Sequence, residues 1–202
     1  MRKLLVLAMS LAMFCTACST AWVSALDSIL AAAAPALINI LQIAAVAKGQ
    51  PVNASLATKI NADVTVIKTL ATDFAKASSG SAPGVCQQLE AAVNTYQADQ
   101  QIVLQTAQVS NANTQTKITL LAGLVASTVD AITSLIPSCQ NAALSQGVRA
   151  QAAPYNVSSF TSRYNSVLVT YTGNAAVDAV TPTLKLYRHS KFVRTVTFGR
   201  IQ

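Results

Sequence analysis

From Leu26 to Ala47 the chain has almost no polar side chain; after Ser28 only Pro35, Asn39 and Gln42 interrupt it. A run like this must be surrounded by apolar matter, and two environments can supply that. About 20 apolar residues suffice to cross a bilayer as a helix. The same run can instead be the buried central helix of a bundle. Its many alanines dilute the hydrophobicity, and Asn39 and Gln42 lie on nearby faces that could meet neighbouring helices, so the core helix is the favoured reading. Pro35 is expected to bend the helix or mark its true start, and Gly49-Gln50-Pro51 to end it.

Three further segments carry apolar residues in alternating steps of three and four, the 3.5-residue period of helices packed at shallow angles. The first runs Ala57, Ile60, Val64, Ile67, Ala71, Phe74, with Asn53 as its N-cap. Ser78 to Gly84 breaks the pattern. The second, starting near Val85 or Cys86, runs Cys86, Leu89, Val93, Tyr96, Gln100, Val103, Ala107. A turn at Asn111-Ala112-Asn113 leads to the third: Ile118, Leu121, Val125, Val129, Ile132 and Leu135 or Ile136, stopped by Pro137. Matched lengths and short connections predict an up-down antiparallel four-helix bundle.

Before the apolar run lies an address. Met1-Arg2-Lys3 is a basic start, Leu4 to Phe14 an apolar stretch too short to span a bilayer comfortably. Cys15-Thr16-Ala17-Cys18-Ser19 follows and resembles the bacterial lipoprotein signal, in which a Cys after small residues is lipidated and becomes the new N-terminus. Cys15 stands where that pattern usually has Leu. The resemblance implies export and a membrane anchor at Cys18, and nothing about activity. Ordinary signal cleavage is the competing reading, after Ala21 or Ala25. An uncleaved anchor is a third. Cys15 and Cys18 also form C-x-x-C, but at the end of an apolar stretch and not at a helix start after a strand, where redox pairs sit.

Charge divides the chain. Residues 26–148 carry five Lys and six acids, whereas residues 149–202 carry seven basic side chains against Asp178 alone, so the net charge of +7 belongs mainly to the C-terminal part. There Arg163, Lys185, Arg188, Lys191, Arg194 and Arg200 form a basic patch interleaved with Tyr187, Phe192 and Phe198. Export argues against nucleic acid as its partner; an anionic envelope polymer, lipid headgroups or an acidic protein fit the charge better. A basic solvated face is the plain alternative. Ser158 or Ser159 could cap a short helix with Phe160, Tyr164, Leu168 and Tyr171 on one face and Gly173 as its stop. Leu184-Lys185-Leu186 and Phe192 to Val196 read as a β-hairpin turning near His189-Ser190.

The expected organisation is a signal segment over 1–17, a helical bundle over 18–139, a linker over 140–157 and a basic module over 158–202. The class is mainly α with a small C-terminal α/β or β-hairpin appendage. Cutting the chain near Gln146 should then leave the bundle intact.

Chemistry has little foothold. A Ser-His-Asp site would need His189, the chain's one histidine, with Asp178, and a lone His in a basic turn is ordinarily an exposed residue. Cys86, Cys139 and His189 have no zinc spacing, and no phosphate-binding glycine motif occurs, so neither metal nor cofactor is expected. Asp63, Asp73, Glu90 and Asp99 read as isolated acids on solvated helix faces. Asn53-Ala-Ser55 and Asn156-Val-Ser158 match a glycosylation acceptor by chance. In an oxidising compartment Cys86 and Cys139 should form a disulfide, because they are equidistant from Ala112 and Asn113 in the expected turn. The expected function is that of a non-enzymatic envelope lipoprotein, anchored by Cys18 and presenting the basic tail to a surface or partner. The alternatives are a secreted membrane-active protein that inserts residues 26–47, and a small enzyme of unknown class.

Overall fold

The computed structural model describes residues 2–77, 80–136 and 155–187, with side chains from Ala21 onward. Among the described residues six α-helices pack together: α1 (Arg2–Lys48), α2 (Ala54–Lys76), α3 (Ala82–Thr106), α4 (Ala112–Leu135), α5 (Val157–Leu168) and α6 (Ala175–Val180). A 3-10 turn, Thr181–Leu184, follows α6, and no strand occurs among the described residues.

The apolar run is the spine. α1 touches all five other helices, and Leu30, Ala33, Ala36, Leu37, Ile40 and Ile43 are wholly buried. Its alanines let neighbouring backbones approach closely. Pro35 neither starts nor stops the helix; it lies inside α1 on an exposed position. There its ring faces solvent, and the helix forgoes the hydrogen bond to the Ala31 carbonyl. Gly49, at φ 63°, ends α1 with its N–H on the Val46 carbonyl and that of Gln50 on the Ala45 carbonyl, a left-handed cap that glycine adopts without a Cβ clash.

The expected seams are the buried faces. All six seam positions of α2 and all seven from Cys86 to Ala107 are buried. In α4, Ile118, Leu121, Val125, Val129, Ile132 and Ile136 are buried. Asn53 and Asn111 cap α2 and α4 through side-chain oxygens that accept from Leu56 and Thr114 N–H groups. The boundaries shift slightly: α3 starts at Ala82, with Pro83 in its first turn, and Ala112 and Asn113 already belong to α4.

That last shift changes the register of the α3–α4 hairpin. Its connection runs from Ala107 to Asn111 and is centred on Val109. The residue level with Cys86 is therefore Ile132, not Cys139. Cys86 is fully buried beside Phe74 and Ala82, near Trp22; Cys139, its expected disulfide partner, lies outside the described residues.

The largest correction concerns the C-terminal part. The expected linker lies mostly outside the described residues, but the described part of the expected module, Val157 to Tyr187, packs into the bundle and is not separate from it. Phe160, Tyr164, Leu168 and Val177 are buried in the same core cluster as α1 and α4. The cap of α5 is Asn156, which accepts from Ser159 N–H, in place of Ser158 or Ser159. Tyr171, expected on the buried face, is exposed because α5 ends at Leu168. The first predicted strand is absent too: Leu184 closes the 3-10 turn, and Lys185 and Leu186 pair with no strand. The reason is local. Asn165 donates to the Leu186 carbonyl at 2.7 Å and accepts from the Leu186 N–H at 2.8 Å, filling both places a partner strand would take. The second expected strand, Phe192 to Val196, lies outside the described residues.

Candidate functional site

Two polar clusters are built into the helix interfaces, and neither follows from any single segment of sequence. The first joins α2 to α3. Lys59 and Asp63 are one turn apart on α2, and Tyr96 and Asp99 three residues apart on α3, so each pair shares a helix face. Lys59 Nζ donates to Asp99 Oδ1 at 2.6 Å. The Asp99 side chain is only 1% exposed while that of Lys59 is 54% exposed, so an inward carboxylate meets a mostly solvated cation. Burial, and after it the neighbouring Asp99, raise the pKa of Asp63 to about 6. The Tyr96 hydroxyl is also pushed up, by burial first and then by the negative charge of Asp63. Asp63 Oδ2, Asp99 Oδ2 and the Tyr96 hydroxyl are buried with no hydrogen-bond partner among the described residues.

The acids expected on a solvated surface therefore divide. Asp99 is buried, and its pairing with Lys59 crosses from α3 to α2. The available signal was the neighbour relation: Asp99 sits beside the seam residue Gln100, and both are buried.

The second cluster joins α4 to the C-terminal segment. Lys117 is buried, donates to the Leu168 carbonyl at 3.0 Å and lies 3.9 Å from Asp178 Oδ1. Burial lowers the ammonium's pKa below its ordinary value, and Asp178 opposes that in part. Asp178 in turn accepts from the Thr172 N–H and hydroxyl through Oδ1 and from the Gly173 N–H through Oδ2. Desolvation pushes its carboxyl up, but these donors and Lys117 together hold it below the usual carboxylate range. Gly173, at φ 77°, makes the turn that aims these donors. Asp178 is thus committed to a structural lock. His189, its imagined partner in a triad, lies outside the described residues.

Of the basic patch, Arg163 and Lys185 are exposed; Arg188, Lys191, Arg194 and Arg200 lie outside the described residues, as their collective geometry does. Among the described residues no three His, Cys, Asp or Glu side chains converge as metal ligands. Shallow cavities of about 460 and 440 Å³ lie beside Tyr155 and between α3 and α4. The second is lined by the amides of Asn94, Gln97, Gln100 and Gln101 and by Asp130. Neither is lined by Asp63 or Asp99. Two helical stretches, Ala21–Lys48 and Ala112–Leu135, are long and apolar enough to cross a membrane, with mean hydropathies of 2.1 and 1.7. The first is largely enclosed by the other helices, as a core helix is.

Compared with protein-family models, curated proteins and solved structures, the chain finds no match.

Proposed function

We propose that this chain is a non-enzymatic bacterial envelope lipoprotein: a helical bundle anchored through Cys18, with the basic C-terminal segment available to an anionic partner. The observation that carries the reading is where the core begins. Trp22 packs edge-to-face on Phe74, with ring centroids 6.0 Å apart, and Val23 and Leu26 join the same apolar interior. Processing at Cys18 keeps all three. Cleavage after Ala25 would remove Trp22 and Val23. An anchor at Cys18 also lies only about 6 Å of helix rise from Trp22, so the bundle would stand directly on its membrane.

Insertion of residues 26–47 into a bilayer would require the spine to leave a core in which Leu30, Leu37 and Ile40 are wholly buried. The tethered reading needs no such unfolding. For the tail, the proposed partner is an anionic envelope polymer, a lipid headgroup or an acidic protein, with the exposed Arg163 and Lys185 as part of the contact.

Cys18→Ser is the test of the anchor. Metabolic lipid labelling and detergent-phase partitioning should both disappear in the variant, with the protein released or left unprocessed. A wild type recovered soluble and starting at Trp22 or Leu26 would overturn the lipoprotein reading.

The disulfide is part of the same proposal. An exported chain places Cys86 and Cys139 in an oxidising compartment, and Cys139 is only four residues beyond Leu135, the end of α4. Non-reducing peptide mapping should recover the two cysteines in one linked species. Recovery of both as alkylated thiols from unreduced protein would remove the bridge.

A further inference from the structure

We propose that the groove between α3 and α4 is a binding site for a neutral saccharide, with Gln100 as its buried polar contact and Asp130 on the facing helix. The inference goes beyond tethering and does not depend on it. Gln100 stands at a seam position of α3, where Val93, Tyr96 and Val103 follow the apolar rule. The residue is 3% exposed, yet its side-chain amide makes no hydrogen bond among the described residues. A buried amide without a partner is costly to the fold, and an apolar side chain would serve a plain seam better. Gln100 lines the groove, and a ligand seated there would supply the missing bonds.

The groove follows from how the helices pair. α3 packs mainly on α2, and α4 mainly on α1, so the side where α3 faces α4 stays open. Ala98 on α3 and Ala126 on α4 keep both walls low. Gln97 crosses between them, donating to the Thr133 hydroxyl at 3.3 Å. The space is about 440 Å³, within the range of about 300–1,000 Å³ that small-molecule sites occupy.

The lining selects the ligand. Asn94, Gln100 and Gln101 bring amides with no other partner among the described residues, and Asp130 brings a carboxylate with no ion pair among them. An amide both donates and accepts, whereas a carboxylate only accepts. Hydroxyl groups answer both, since each donates one bond and accepts others. No Lys or Arg lines the groove to hold an anion, and no aromatic ring lines it to stack a base. A cation would find Asp130 but would also face the amide N–H groups. The apolar surface of Ala98, Ala126 and Val129 suits the C–H face of a sugar ring.

The experiment titrates the full chain, in a detergent without sugar headgroups, with the neutral disaccharide N,N′-diacetylchitobiose, whose acetamido groups can pair with the side-chain amides. Side-chain amide NMR signals of Asn94, Gln100 and Gln101 should shift together and saturate. Spermidine, trialanine and inorganic phosphate should leave them in place. Gln100→Met keeps the length and stem of the side chain and should weaken disaccharide binding about tenfold, the loss of one buried hydrogen-bonding partner. Its melting temperature should not fall, because the free protein loses only an amide without a partner. Gln101→Ala and Asp130→Ala, both at exposed positions, should weaken binding with the melt unchanged. A disaccharide that shifts none of these signals, or binds wild type and Gln100→Met equally, would overturn the proposal. So would a saturable response to spermidine or trialanine in its place.

Discussion

Truncation after Gln146 is expected to abolish the cooperative thermal transition. The missing residues include Phe160, Tyr164, Leu168 and Val177, all buried against α1 and α4. Burial of such side chains is worth about 1.5–3 kcal/mol each. Four of them together rival the whole stability of an ordinary domain, about 5–15 kcal/mol. The truncation also uncovers Lys117, whose ammonium would lose both the Leu168 carbonyl and Asp178. Circular dichroism should show helix melting over a broad range, with binding of a hydrophobic dye at ambient temperature. A sharp transition close to that of the full chain would mean that α1–α4 are self-sufficient and that the C-terminal helices only cover them.

The second large effect should come from Asp178→Ala. This change leaves a buried ammonium without its carboxylate and strips acceptors from the Thr172 N–H, the Thr172 hydroxyl and the Gly173 N–H. Breaking one side of a buried charged network costs about 3–5 kcal/mol. Lys117→Met removes the charge together with its desolvation cost and should be far milder. Adding Lys117→Met to Asp178→Ala should recover part of the loss. Denaturant midpoints of the two single variants and the double variant measure this directly. If Asp178→Ala and Lys117→Met cost the same, desolvation of Lys117 is not what Asp178 offsets. The depressed pKa of Lys117 adds a further sign: its contribution to stability should grow as pH rises toward the ordinary lysine range, where the unfolded chain holds more protons than the folded one.

The bundle faces could be read from periodicity because burial of a helix face is a local rule. Ile60, Val64 and Ile67, or Leu89, Val93 and Tyr96, need only a neighbour, whichever it is. What periodicity does not encode is which polar groups meet across an interface. Asp63 and Asp99 are far apart in the chain and each looks like an ordinary surface acid; only packing of α2 on α3 joins them. Asn39 is an intermediate case. Its place in an apolar run points to a buried contact with a neighbouring helix face, but its partner is the Leu184 carbonyl, at 2.7 Å, at the end of the 3-10 turn. The C-terminal segment departs from its strand-like pattern for a similar reason. Leu184 and Leu186 have a strand-like composition, yet a side-chain amide on α5 holds Leu186 where a second strand was expected. Tyr164, one residue earlier, is wholly buried and donates to the Ala36 carbonyl at 3.0 Å.

These amide contacts have a mechanical meaning. Asn39 and Asn165 grip the chain at Leu184 and Leu186 by its peptide groups and not by its side chains. Tension applied at Tyr187 would reach the bundle first at Leu186 and then at Leu184, entering α5 and the spine at two neighbouring points. It would be shared there before the Lys117–Asp178 lock felt any of it. Such a pull would be delivered to α1, the helix that leads back toward the N-terminal segment, so Leu184 and Trp22 are joined through α1 along one line of force.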